Sequence, residues 1–148
     1  MSRTRILLVD DDTTCRDALR AIFEHASDFS VIGEASDSNE GLRVAALLCP
    51  DVIVVDVQMP DVDGIAIARA FHGDCQKPAV ICLSVYPTRH DEACAAGVAS
   101  YLLKDSPAPI LVEAVRAAAA RRIAIRDSNA RRAVPASGTE PLLGPQLS

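Results

Sequence analysis

Three aspartates, a serine and a lysine are the side chains of this sequence best placed to do chemistry together. Asp10 and Asp11 follow the apolar run Ile6-Leu7-Leu8-Val9, and Asp56 follows Val52-Ile53-Val54-Val55. Ser84 closes Ala79-Val80-Ile81-Cys82-Leu83, and Lys104 closes Ser100-Tyr101-Leu102-Leu103. A single aspartate at such a place is ordinary turn chemistry. A pair after one run and a third after another is a different pattern if the runs lie side by side. Carboxylates held that close repel one another and raise at least one pKa unless a cation intervenes. A hard ion such as Mg2+ takes one or two carboxylates, several waters and a phosphate oxygen, which suits an open acidic cleft. A hydroxyl at the neighbouring run's end can hydrogen-bond a phosphoryl oxygen, and a lysine there is a point cation aimed at one. Together these residue types point to phosphoryl binding or transfer.

Such a pocket needs the runs to be adjacent, parallel strands. Five short runs alternate with helical patterns: 6–9, 31–35, 52–55, 79–83 and 100–103 read as strands. Three of them are apolar throughout, as strands covered on both faces should be. Between and after them, apolar residues recur at helical spacing in 13–25, 38–48, 64–72, 88–96 and 107–122. Thr13 or Thr14 is expected to cap the first helix, and Ser38 or Asn39 to open the second. Pro107 or Pro109 sits in the first turn of the last. Alternation of this kind predicts an α/β fold, a doubly wound five-stranded parallel sheet with right-handed crossovers and five helices. Ligands of such sheets bind at the C-terminal strand ends, where the candidate residues stand.

A chain of 148 residues, 49% hydrophobic, is long enough for one domain with a short tail and too apolar for disorder. No run approaches the ~20 apolar residues of a membrane span. The apolar run leading into Asp10 is only four residues long, too short for a secretory signal, so a cytoplasmic location is expected. The net charge of -5 argues against nucleic acid as the main partner. Five Arg at 121, 122, 126, 131 and 132 nevertheless give the C-terminal part a basic balance. Cysteines at 15, 49, 75, 82 and 94 are odd in number and form no CxxC pair, so reduced thiols are expected, with Cys82 in the core. Past about 122 the periodicity fades into a stretch rich in Pro and Gly, read as a linker or disordered tail over 123–148.

The blocks Leu7-Leu8-Val9-Asp10-Asp11-Asp12, Asp51-Val52-Ile53-Val54-Val55-Asp56-Val57-Gln58-Met59-Pro60-Asp61-Val62-Asp63-Gly64, Leu83-Ser84 and Gly97-Val98-Ala99-Ser100-Tyr101-Leu102-Leu103-Lys104-Asp105-Ser106 together resemble the receiver domain of two-component response regulators. The likeness covers about residues 4–122. It implies the flavodoxin-like strand order 2-1-3-4-5, and roles residue by residue. Asp56 would accept a phosphoryl group from a sensor histidine kinase. Asp11 and Asp56 would ligate Mg2+ directly, Asp10 largely through water, and Gln58 through its main-chain carbonyl. Ser84 would be the switch hydroxyl, Tyr101 the aromatic that turns with it, and Lys104 the phosphoryl contact. Gln58 and Tyr86, each two residues past a site residue, would flank the approach of water and slow hydrolysis of the phosphoaspartate. Lys104-Asp105-Ser106-Pro107 resembles the subfamily with a LuxR-type helix-turn-helix output. The expected organisation is therefore a receiver leading to a DNA-binding domain beyond Ser148, since nothing in these residues can itself read DNA. Homodimerisation is expected through the first and fifth helices or the fourth helix and fifth strand.

Three rival readings remain at this stage. Asp10-x-Asp12-x-Thr14 after an apolar strand also matches the nucleophile motif of haloacid-dehalogenase-like phosphatases, in which Asp10 would attack the substrate. That reading leaves Asp56 and the Met59-Pro60 turn without a role, and no acidic pair follows Lys104 at a strand end. A stand-alone receiver acting only through protein-protein contact is the second rival. A flavodoxin-type flavin protein is the third, and it lacks a Ser/Thr/Gly-rich phosphate loop after the first strand.

Overall fold

A computed structural model describes residues 3–58, 64–70 and 78–138 of the chain. In chain order the elements are β1 (Thr4–Val9), α1 (Thr13–Glu24), β2 (Phe29–Ala35), α2 (Ser38–Leu48), β3 (Val52–Asp56), α3 (Ile65–Ala70), β4 (Ala79–Ser84), α4 (His90–Ala95), β5 (Ser100–Leu103) and α5 (Ala108–Gly138). A 3-10 turn, Pro87–Arg89, leads into α4. The five strands form one parallel sheet in the order β2-β1-β3-β4-β5, as expected.

Alternation along each strand separates two cores. Ile6 and Leu8 of β1 pack with Leu19 and Phe23 of α1 and with Leu111, Val115 and Ala118 of α5. Leu7 and Val9 point the other way, toward Ala45 of α2, Ile67 and Ala68 of α3 and Ala93 of α4. Every residue of β3 is buried, which is why its sequence shows no polar alternation. Each fully buried aliphatic side chain contributes roughly 1.5–3 kcal/mol of transfer free energy, so the two cores dominate the stability of the sheet. Cys82 lies in the core, and Cys15, Cys49 and Cys94 are free thiols; Cys75 lies outside the described residues.

Helix boundaries differ from expectation at three points. The cap of α1 is Asp12, not Thr13 or Thr14: its carboxylate accepts from the Thr14 and Cys15 amides. The cap of α2 is Asp37, which accepts from the Glu40 amide, rather than Ser38 or Asn39; Glu40 reaches back to the Ser36 amide at 2.8 Å. In both cases the acid stands one place ahead of the hydroxyl or amide that was read as the cap. The largest difference is α5, which does not stop near 122 but continues to Gly138. An amphipathic stripe is a condition for burial, not for helicity. The Ala- and Arg-rich stretch after 117 has high helix propensity without a stripe. The expected tail is thus helical over 123–138, and 139–148 lie outside the described residues. Arg116 ties α5 to Asp28 at 2.8 and 3.0 Å, and Arg122 ties it to Asp51 at 3.2 Å.

Candidate functional site

Sheet register alone brings the site residues into line. Val9 of β1 pairs with Val55 of β3, so Asp10 and Asp56 leave adjacent strands side by side. Asp56 pairs with Leu83 of β4, and Ser84 with Leu103 of β5. Lys104 follows, its amide donating to the Ser84 carbonyl at 2.8 Å. Side-chain oxygens of Asp10, Asp11 and Asp56 lie within 4.8 Å of one another. Asp10 and Asp56 are 1% and 5% exposed, whereas Asp11 faces solvent.

The two buried carboxylates are held alike. One oxygen of Asp10 accepts from the Asp12 amide, and one of Asp56 from the Gln58 amide, both at 2.9 Å. The remaining oxygen of each accepts from Lys104 Nζ at 3.1 Å. Burial pushes the Asp10 carboxyl above its ordinary pKa, and nearby Asp56 adds to this; the Asp12 amide and Lys104 offset only part of it. Burial alone would lower the Lys104 pKa, but hydrogen bonds to Asp10 and Asp56 outweigh it and raise it. Lys104 therefore remains an ammonium ion between two carboxylates. The donor set is all hard oxygen, with one carboxylate open to water and two fixed by amides. That fits an oxygen-loving divalent cation and does not fit a soft one.

Ser84 is buried at 1% exposure, and its hydroxyl oxygen accepts from the Tyr86 amide at 3.1 Å. Tyr101 is half-buried. Its hydroxyl donates to the Tyr86 carbonyl at 2.8 Å, and its ring meets His90 edge-on at 5.7 Å between centroids. These partners place Tyr101 beside the 84–86 loop rather than among the carboxylates. Tyr86 is exposed. Gln58 Oε1 accepts from the Val85 amide at 3.3 Å, bridging the ends of β3 and β4. The Met59–Asp63 turn lies outside the described residues. The structure thus brings Asp10, Asp11, Asp56 and Lys104 into one cluster, and sets Ser84, Gln58, Tyr86 and Tyr101 around its β4 side.

Two residues that shape this site escaped the sequence reading. Gly64 packs directly behind Asp56: a Cβ there would meet the Asp56 carbonyl oxygen at 2.2 Å, closer than any real contact. Its place at the end of the acidic block is the only sequence signal. Arg16, in the first turn of α1, donates to the Asp10 carbonyl. Nothing in its spacing distinguishes it from the other surface arginines.

Comparison with known proteins agrees with this fold. The family described as response regulator receiver domain matches residues 6–116. The chain is 41% identical over 121 residues to the transcriptional regulatory protein LiaR of Bacillus subtilis, covering 77% of this chain and 55% of LiaR. It is 31% identical over 127 residues to the nitrate/nitrite response regulator NarL of Escherichia coli, covering 83% and 58%. The chain spans about half the length of the curated relatives it matches. Among solved structures, the NarL signal receiver domain of Mycobacterium tuberculosis superposes with a TM-score of 0.76 at 29% identity, over 80% of this chain and 98% of that one.

Proposed function

We propose a function that proceeds from one fact: this chain belongs to the response regulator receiver domain family. That membership removes the haloacid-dehalogenase and flavodoxin readings. The function proposed is a phosphorylation switch, with residues 4–122 as the receiver unit. A sensor histidine kinase donates the phosphoryl group. An Asp56 oxygen attacks phosphorus in line, the phosphorus–nitrogen bond to the kinase imidazole breaks, and an acyl phosphate forms on Asp56. Asp11, Asp56 and the Gln58 carbonyl would hold Mg2+ directly and Asp10 through water, and the ion would supply charge neutralisation for the phosphoryl oxygens. Lys104, already within 3.1 Å of Asp56, contacts the new phosphoryl oxygens, and the Ser84 hydroxyl turns to donate to one of them. That movement releases the Tyr86 amide from Ser84 and draws Tyr101 with the loop, changing the surface between α4 and β5.

The observation that carries this reading is the convergence of three carboxylates within 4.8 Å on a lysine that bridges two of them. The output proposed is transcriptional, through a LuxR-type helix-turn-helix beyond Ser148, because LiaR is named a transcriptional regulatory protein. DNA is a partner only through that domain, homodimerisation accompanies activation, and the setting is the bacterial cytoplasm. No described helix is long and apolar enough to cross a membrane. The test is incubation with a small phosphodonor and Mg2+ followed by intact mass. One phosphoryl group should be gained and should be absent in Asp56→Asn. Label on Asp10, or none at all, would reject the proposal.

A further inference from the structure

Arg16 is bound on three sides next to the acidic pocket, yet it touches none of the pocket's carboxylates. Its guanidinium donates to the Asp10 main-chain carbonyl, to Glu34 Oε1 at 3.0 Å and to Thr13 Oγ1 at 3.4 Å. Its side chain is 15% exposed and that of Glu34 25%. Glu34 is held in turn by Arg20 Nε at 2.7 Å, and Arg20 also pairs with Glu24 at 2.8 Å.

The corner that Arg16 holds is a difficult one. Asp10 to Asp12 are three consecutive acids where β1 leaves the sheet. The Asp10 amide still pairs with the Ala35 carbonyl at 3.0 Å, as a strand residue would. The Asp10 carbonyl lies past the end of the β1–β3 ladder, and Arg16 supplies its donor. Fixing that carbonyl fixes the plane of the Asp10–Asp11 peptide and hence the direction in which the Asp11 side chain leaves. Asp11 is exposed, and among the described residues no hydrogen bond or ion pair holds its carboxylate. Mutual repulsion would otherwise favour swinging it into water.

We propose that Arg16, oriented by Glu34, is a positioning residue that keeps the Asp10–Asp11 corner aimed into the pocket so that it can take up a divalent cation. In naming Mg2+ as the ion, this rests on the receiver reading above. Charge and geometry predict opposite outcomes, so the two can be separated. As a mere positive charge, Arg16 would repel a cation, and removing it would tighten binding. As a brace, its loss frees the corner and weakens binding. Glu34 already balances its charge, so the brace dominates.

The test titrates Mg2+ calorimetrically into the full chain without phosphodonor, for wild type, Arg16→Met, Arg16→Lys and Glu34→Gln. Arg16→Lys keeps the charge but cannot fork across the Asp10 carbonyl and Glu34. Both Arg16 variants should lose about tenfold in Mg2+ affinity, within the range for losing a partner that orients a metal ligand. Glu34→Gln should lose less, in the same direction. Amide hydrogen exchange at 10–14 in the metal-free chain should rise in all three. Arg16→Met binding Mg2+ more tightly, or Arg16→Lys matching wild type, would overturn the proposal. If Arg16→Met fails to fold, Arg16→Lys and Glu34→Gln decide it alone. A wild type that binds Mg2+ but gains no phosphoryl group would reject the receiver mechanism and leave the Arg16 result standing. A phosphorylated wild type with unchanged affinities in the variants would do the reverse.

Discussion

At the scale of single residues, the pocket holds one charge that weighs against the resting fold. Asp10 is almost wholly buried, and its pKa is raised chiefly by that burial. A carboxyl whose native pKa exceeds its unfolded value costs stability progressively as pH rises above the unfolded value, so at neutral pH the buried charge weighs against the fold. Asp10→Asn should therefore raise the denaturation midpoint of the metal-free chain at pH 7, by on the order of 1 kcal/mol, while weakening Mg2+ uptake. An unchanged or lowered midpoint would show that Lys104 already compensates the buried charge in full. Gln58 and Tyr86 belong to the lifetime of the proposed phosphoaspartate. The Gln58 side chain spans to the Val85 amide and so stands across the β3–β4 approach. Substituting both by Ala should speed decay of the acyl phosphate about tenfold, equivalent to about 1.4 kcal/mol of barrier. Decay followed by intact mass at the wild-type rate would count against that screening role. Gly64→Ala should cost about 3 kcal/mol by chemical denaturation, because the intruding Cβ meets backbone rather than a movable side chain.

At the scale of elements, strands were easy to read and helix ends were not. The runs at 6–9, 52–55 and 79–83 announce themselves because both faces are buried, and the structure extends each by only one or two residues. Caps were displaced by one position because an aspartate and its neighbouring hydroxyl carry the same signal. The end of α5 carries no apolar stripe in the sequence, and helix propensity alone marks it. Site residues whose chemistry is their own, such as Asp56 and Lys104, were legible. Arg16 was not, since its role depends on a carbonyl from another element. The α1–β2 contact also has a pH signature. Burial alone would raise the Glu34 pKa, but hydrogen bonds from Arg20 and Arg16 outweigh it and hold it below the ordinary 4.5. With the native pKa depressed, this stabilisation is complete above about pH 4.5 and is lost as pH falls through the lowered value. Both partners being part-exposed, the contribution is about 1 kcal/mol or less. The gap in denaturation midpoint between wild type and Glu34→Gln should begin to narrow once pH falls below about 4.5 and keep narrowing on further acidification. A gap that does not narrow at all below that pH would mean the ionised pair is not what stabilises this edge.

At the scale of the whole molecule, the pocket and the Arg122 stretch of the long helix stand at opposite ends of β3. Asp56 closes the strand, while Asp51, just before its start, pairs with Arg122 of α5. Cutting the chain after Arg122 should remove roughly a quarter of the helical circular dichroism and leave the melting midpoint nearly unchanged. A large fall in the midpoint would show that the remainder of α5 packs on the body. The longest strand has seven residues, about 23 Å, whereas 31 residues of helix extend about 46 Å. So long a rod acts as a lever with its fulcrum near the Arg122 pair. The part past that pivot is about 24 Å long, so a tilt of about 10° there sweeps the Gly138 end sideways by roughly 4 Å. Rearrangements too slight to notice at the sheet are thereby converted into displacements of atomic size at the far tip.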